Sequence, residues 1–181
     1  LGISEEHPID ITNYTNLTQF RNFINAGNKF YYDVVTHTFQ ASQDADFSFI
    51  EIPAGGEAMF FRLSTGESNL DLSVQSAEAW NPIGNQTNPF KGYFNGNNTT
   101  ISNMTVNNTV NNNNTQYHGF FGYSKGSIKN LTIANATVTG NNYIGALCGK
   151  NEGSISNCGA IGGNVTCSGQ YAGGLVGESL Y

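Results

Sequence analysis

Gly126-Ser127-Ile128-Lys129-Asn130-Leu131-Thr132-Ile133 decides the fold, because the same frame of residues returns on either side of it. Ile101-Ser102-Asn103-Met104-Thr105-Val106 stands 27 residues before the run that begins at Ile128, and Ile155-Ser156-Asn157-Cys158-Gly159-Ala160 stands 27 residues after it. A second landmark follows each copy: His118-Gly119-Phe120-Phe121-Gly122, then Gly145-Ala146-Leu147-Cys148-Gly149, then Gly173-Gly174-Leu175-Val176-Gly177. The last interval is one residue longer, which a loop absorbs. Self-similarity at a fixed period of this size marks a repeat architecture, in which each unit can bury its apolar face only against its neighbours.

Within a copy the apolar residues alternate, as in Ile128, Leu131, Ile133 and Val138, with the period of a strand. A helical solenoid would need apolar runs at helical spacing, and the frequent Gly and Asn would be costly inside helices. Coiling the chain so that equivalent strands stack about 4.8 Å apart gives every apolar row a partner above and below. The expected fold is therefore mainly β: a parallel β-helix, or solenoid, of about three to four rungs with a small α+β N-terminal cap. Ile101, Ile128 and Ile155 are expected in one inward column, and Asn103, Asn130 and Asn157 at one position where side-chain amides can bond along the axis. Gly122, Gly149 and Gly177 recur where the coil needs left-handed dihedrals or close backbone approach.

These residues resemble the GLUG-motif repeats of bacterial surface adhesins and of the non-catalytic regions of IgA-specific metallopeptidases. The resemblance is carried by Gly126-Ser127-Ile128-Lys129-Asn130-Leu131, Tyr143-Ile144-Gly145-Ala146-Leu147-Cys148-Gly149, Gly153-Ser154-Ile155-Ser156-Asn157-Cys158 and, most clearly, Tyr171-Ala172-Gly173-Gly174-Leu175-Val176-Gly177. Asn69-Leu70-Asp71-Leu72-Ser73, Trp80-Asn81-Pro82-Ile83-Gly84 and Phe90-Lys91-Gly92-Tyr93-Phe94-Asn95-Gly96 look like the lead-in to a first repeat, so the similarity covers roughly residues 69–177. It implies a right-handed parallel β-helix on an exported, surface-displayed protein, and it implies no chemistry. The family's peptidase members carry their zinc motif in a separate domain. In the first copy His118 and Phe120 stand where Gly and a small residue belong, and residues 111–114 are inserted ahead of them, so a bulge is expected there.

Residues 1–68 do not repeat and form the expected α+β cap, with the solenoid over 69–181 in units of about 92–125, 126–152 and 153–179. Leu17, Phe20, Phe23 and Ile24 mark one face of a helix that Thr15 or Asn16 caps and Gly27 ends. Strands are expected over 29–39 and 47–63, the second broken by Pro53-Ala54-Gly55-Gly56 as a turn. An open solenoid end exposes strand edges that aggregate, so this segment is expected to cover the N-terminal end of the coil. No matching cap is visible after the last repeat, which suggests a piece of a longer protein with more repeats, with a packed homo-oligomer as the second choice.

Composition bounds the partners. A net charge of -6, from Lys+Arg 7 against Asp+Glu 13, leaves no basic footprint for nucleic acid or anionic lipid. No apolar run approaches the roughly 20 residues a membrane span needs. His7, His37 and His118 are scattered, without ligand spacing, so no metal or other cofactor is expected. Asp44-Ala45-Asp46 offers part of a low-affinity calcium site, but with about six oxygen ligands needed it reads better as a solvated acidic loop. Cys148 and Cys158 fall where other copies place apolar residues and read as small buried hydrophobes, while Cys167 has no legible role. Asn-x-Ser/Thr triplets are numerous, including those at Asn13, Asn16, Asn85, Asn103, Asn130, Asn135 and Asn164; in a eukaryotic secreted protein they would read as glycan sites, and chance is a sufficient cause in a chain this rich in Asn and Thr.

Trp80, Tyr93, Phe94, Tyr117, Tyr143 and Tyr171 are the aromatics an exposed contact strip would use; the phenylalanines read better as core or rung-stacking residues, Tyr143 and Tyr171 suit exposure best, and Tyr143, Tyr171 and Trp80 are the candidate binding residues. The repeat region lacks the clustered carboxylates that β-helix lyases and hydrolases use, so no catalytic residues are assigned. The leading expectation is a non-catalytic cell-surface adhesin or stalk module whose partner is a protein or glycan of a host or neighbouring cell. A glycan-binding module is the alternative, and a carbohydrate-active enzyme stands behind both.

Overall fold

The computed structural model describes residues 1–43, 48–107 and 116–180. The expected acidic loop at 44–46 and the insertion at 111–114 lie outside them. The chain is a parallel β-solenoid of about four turns with a small helical N-terminal part.

Three parallel sheets run along the coil. The longest, sheet A, stacks β1 (Ile9–Ile11), β5 (Phe60–Leu63), β7 (Tyr93–Ser102), β10 (Ser127–Ala134) and β13 (Ser154–Ile161) in that order, with β6 (Asn69–Asp71) also paired to β7. The second face stacks β8 (Thr105–Asn107), β11 (Thr137–Gly140) and β14 (Asn164–Cys167). The third stacks β9 (Phe121–Ser124), β12 (Cys148–Asn151) and β15 (Val176–Ser179). Alternation sends Phe61, Phe94 and Ile128 inward as one column, and Leu70, Ile101 and Ile133 as another. Every one of these side chains is essentially removed from water, which is the main source of stability in such a stack.

The register corrects part of the sequence alignment. Between the second and third copies the 27-residue spacing holds, and Ile128 pairs with Ile155. Between the first and second it does not: Ile101 pairs with Ile133, and the partner of Ile128 is Phe94. The reason is a bulge. Residues 96–98 of β7 stand opposite the single residue Asn130, so the rung lengthens while both ends stay paired. Asn97 and Asn98 take left-handed dihedrals there. The glycine landmark is displaced by one residue as well. His118 bridges Ile144, which puts Gly119 against Gly145, where an added Cβ would lie 2.6 Å from the Gly145 carbonyl oxygen. The first copy therefore keeps the glycine that the alignment denied it.

Residues 1–68 supply both cover and coil. Helix α1 (Tyr14–Ala26) is capped by Asn13, whose side chain accepts from the Asn16 amide, rather than by Thr15 or Asn16. Asn16 itself is buried and accepts from the Thr12 hydroxyl. Gly27 ends the helix in the left-handed region, as its sequence position requires. From the apolar face of α1, Phe20 reaches Phe61, Phe90 and Phe94 with ring centroids 4.7, 6.1 and 6.1 Å away, so the helix packs on the first rungs of the coil. The segment 29–39 is a hairpin rather than one strand: β2 (Phe30–Asp33) and β3 (Thr38–Gln40) flank a turn in which the Asp33 carboxylate accepts from the Val35 and Thr36 amides. The strand β4 (Phe49–Ile52) pairs antiparallel with β2, while β5, beyond the 3-10 turn at Ala54–Gly56, pairs in sheet A together with β1.

Candidate functional site: the outer faces of the coil

What the coil presents to solvent is set by in-register stacking of like side chains. Asn130 and Asn157 sit at the corner within β10 and β13 in left-handed conformation, with φ of 56° and 49°. The Asn157 amide donates to the Asn130 oxygen at 3.3 Å, and the Asn130 amide donates to the Asn95 oxygen at 3.0 Å. An axial amide ladder is therefore present, but its third member is Asn95. Asn103 is a corner of a different kind: its own N–H donates to the Ala134 carbonyl, its side chain donates to Asp71, and its counterpart in the next rung is the left-handed Asn135. The bulge in β7 moved these two positions apart.

Gly122, Gly149 and Gly177 do form a column. An added Cβ at Gly149 would lie 2.6 Å from the His118 nitrogen and 2.9 Å from the Gly122 oxygen, and one at Gly177 would lie 2.6 Å from the Gly149 oxygen. None has positive φ. Glycine is needed here for close backbone approach, not for a special dihedral.

Of the candidate binding aromatics, two are brought together and one is not. Tyr143 and Tyr171 stack 4.7 Å apart with an interplanar angle of 4°, and Tyr117 lies 4.8 Å from Tyr143 on its other side. Both ring faces of Tyr143 are thus occupied by neighbours, and only the outer face of Tyr171 looks into solvent. Trp80, read as exposed from the sequence, is 4% exposed. It stacks on Phe120 at 5.2 Å, donates its indole N–H to the Phe120 carbonyl at 3.0 Å and carries the Arg21 guanidinium 4.6 Å above its ring. Phe94 and Tyr117 are buried too, which leaves Tyr93 and Tyr171 as the exposed members of the expected strip.

A charge lattice that sequence reading missed covers the third sheet. Lys150 lies 3.2 Å from Glu152 and 3.5 Å from Glu178, and Lys125 lies 3.1 Å from Glu152. A hydrogen bond from Tyr123, with Lys125 and Lys150 beside it, outweighs burial and holds the Glu152 carboxyl down at about 2. Burial works against the charge of Lys150, yet Glu152, Tyr123 and Glu178 push its pKa up to about 12. The signal was present in the sequence as Lys150 and Glu178 at equivalent positions of successive copies, one residue past the glycine landmark. On this face the two cations, Lys125 and Lys150, are matched by the two anions, Glu152 and Glu178.

Cys148 is fully buried in the column between Phe121 and Val176, and burial pushes its thiol up to about 12. Cys158 is half-buried beside Leu131, and burial raises its pKa also. Cys167 ends β14 with its thiol on the Asn141 carbonyl at 3.1 Å. Among the described residues no three His, Cys, Asp or Glu side chains gather in a way that could hold a metal ion, and no helix is long and apolar enough to cross a membrane.

The last rung differs from the others in being uncovered. Among the described residues nothing pairs with the outer edges of β13, β14 and β15. Ile155, Cys158, Val165, Leu175 and Val176, which face the coil axis, are only partly buried. A cavity of about 390 Å³ opens between this rung and the one beneath, lined by Ala136, Ala146, Ala160, Val165 and Leu175.

No family model matches the chain, and no curated protein or solved structure matches it. The fold and its faces define the class: a parallel β-solenoid with in-register polar and aromatic ladders and a helix packed on its first rungs.

Proposed function

We propose that this chain is a section of a non-catalytic stalk or adhesion module, displayed outside the cell and presenting its faces to a protein or glycan of a host or neighbouring cell. The carrying observation is the in-register stack of three parallel sheets, whose outer faces repeat like side chains from rung to rung. Asn95, Asn130 and Asn157 make one row, Tyr117, Tyr143 and Tyr171 another, and Ser154 donates to Ser127 in a third. A further rung of the same pattern would extend the Asn, Tyr and Ser rows and close the cavity beneath. A coil that grows by repetition becomes a rigid rod, and a rod carrying the same weak contact many times gains avidity without any new chemistry. The resemblance of the repeats to those of surface adhesins supports the same reading.

The experiment is to append a copy of residues 154–180 after Leu180 and compare melting temperatures and association state. Growth by stacking requires the extended chain to melt several degrees higher and to self-associate no more than the parent. An unchanged or lower melting temperature contradicts it. For adhesion, beads densely coated with the chain should bind host epithelial cells while the monomer does not; beads that bind no better than albumin-coated ones contradict that part.

A further inference from the structure

The outer face of sheet A carries two parallel rows of side chains across the rungs. One runs Phe60, Tyr93, Ser127, Ser154, and its neighbour runs Arg62, Asn95, Lys129, Ser156. Phe60 and Tyr93 stack face to face, with centroids 4.2 Å apart and planes 9° from parallel. The aromatic ladder then stops, because the next rung places Ser127 in register with Tyr93. A serine is too short to cover a phenol ring. Tyr93 is left 44% exposed, and a notch of about 180 Å³ beside it is lined by Phe60, Tyr93, Asn95, Ser127 and Lys129 and, from the segment ahead of β1, by Glu5 and Pro8.

The walls of the notch have a definite chemistry. Tyr93 supplies a flat apolar face, Ser127 a hydroxyl, Asn95 an amide and Lys129 an ammonium. Lys129 is ion-paired with Glu5, which comes from the segment ahead of β1 and has a side chain 60% exposed. The other cation of the face, Arg62, is committed to Asp10 through two hydrogen bonds of 2.7 and 2.9 Å. Lys129 is therefore the cation whose partner can be exchanged. Glu5 holds the place that an incoming carboxylate would take.

We propose that this notch binds a saccharide ring bearing a carboxylate, an acidic sugar of the hexuronic type. The C–H face of a pyranose covers the exposed ring of Tyr93. Its carboxylate replaces that of Glu5 on Lys129, keeping a charge-assisted bond. Its hydroxyls accept from the Ser127 hydroxyl, whose oxygen already takes a bond from Ser154, and from the Asn95 amide N–H groups, the Asn95 oxygen being held by Asn130 and the Asn97 N–H. A neutral sugar lacks the group that displaces Glu5, and an acidic peptide side chain lacks the rigid ring that fills the missing rung. The proposal is independent of growth by stacking: failure of the titration below leaves the coil-extension result untouched, and the reverse holds as well.

The test is titration of the whole chain with glucuronic acid, glucose and N-acetylglutamate, followed by calorimetry and by the ring resonances of Tyr93. Glucuronic acid should bind with millimolar affinity and shift Tyr93, while glucose and N-acetylglutamate bind about ten-fold more weakly or not at all. Lys129→Gln should weaken glucuronic acid about ten-fold, and Glu5→Gln should strengthen it several-fold by removing the competing carboxylate. Ser127→Phe, which continues the aromatic ladder into the notch, should abolish binding with the melting temperature kept or raised. The proposal is overturned if glucose or N-acetylglutamate binds as tightly as glucuronic acid. It is equally overturned if Ser127→Phe stays folded and still binds, or if the Glu5→Gln chain shows no saturable binding.

Discussion

Asn130 serves two purposes at once, and substitution can separate them. Its φ of 56° is a conformation that costs most L-residues about 1–2 kcal/mol, and its amide links the rungs on either side. Asn130→Ala loses both and should destabilise the fold by about 2 kcal/mol, whereas Asn130→Gly keeps the dihedral and should lose about half as much, read from urea melts. Equal losses would mean that the left-handed corner is unimportant. At Gly149 the constraint is space. Gly149→Ala drives a methyl into the backbones of His118 and Gly122 and should cost about 2–3 kcal/mol or prevent folding. The recurrence of Asn and Gly was legible in the sequence because special backbone positions admit few residue types. Which asparagines share a ladder was not legible, since Asn95, Asn103 and Asn130 look alike until the register is known.

At the scale of elements, the third sheet sets a pH response and α1 sets the packing of the N-terminal end. The Glu152 carboxyl lies at about 2 in the fold against an ordinary value of 4.5, so its hydrogen bond from Tyr123, together with its pairs to Lys125 and Lys150, stabilises the native state above that ordinary value. Their contribution fades as the pH falls from about 4.5 toward 2, because the folded chain must then be protonated at a site it holds charged. The melting temperature should drop through that window, and Glu152→Gln should flatten the drop while lowering stability at neutral pH by about 1 kcal/mol, the face being partly open to solvent. A wild-type and Glu152→Gln pair with parallel pH curves would contradict the lattice. For α1, Phe20→Ala should cost about 3–5 kcal/mol, since its ring joins the helix to Phe61, Phe90 and Phe94. The helix itself was readable from the spacing of Leu17, Phe20 and Ile24. Its cap was misplaced by a few residues because Asn13, Thr15 and Asn16 are all competent by type, and only the geometry at the Asn16 amide distinguishes them. The pairing of β1 and β5 into the coil escaped notice for a different reason: strands of three and four residues, 52 apart in register, leave no periodic trace.

For the whole molecule, the repeat led to the parallel coil because stacking is the one way such short alternating runs can bury their apolar side. Two of three copies align by counting residues. The first fails because the bulge in β7 and the displaced glycine at position 119 change the length of a rung without changing its ends, and counting cannot detect compensation of that kind. The aromatics show the same limit. Trp80 and Tyr93 are similar in kind and in neighbourhood along the chain, yet one is sealed under Arg21 and the other faces solvent beside a missing ring. Solvent exposure in a solenoid depends on what stands in the next rung, which lies 26 or more residues away.

Stacking in this register has a direct spectroscopic consequence. In a chain with isotope-labelled isoleucine methyl groups, cross-strand nuclear Overhauser effects should join Ile128 to Ile155 and Ile101 to Ile133. Strong contacts of Ile101 with Ile128 in place of Ile133, or no contact between Ile128 and Ile155, would refute the coil as described.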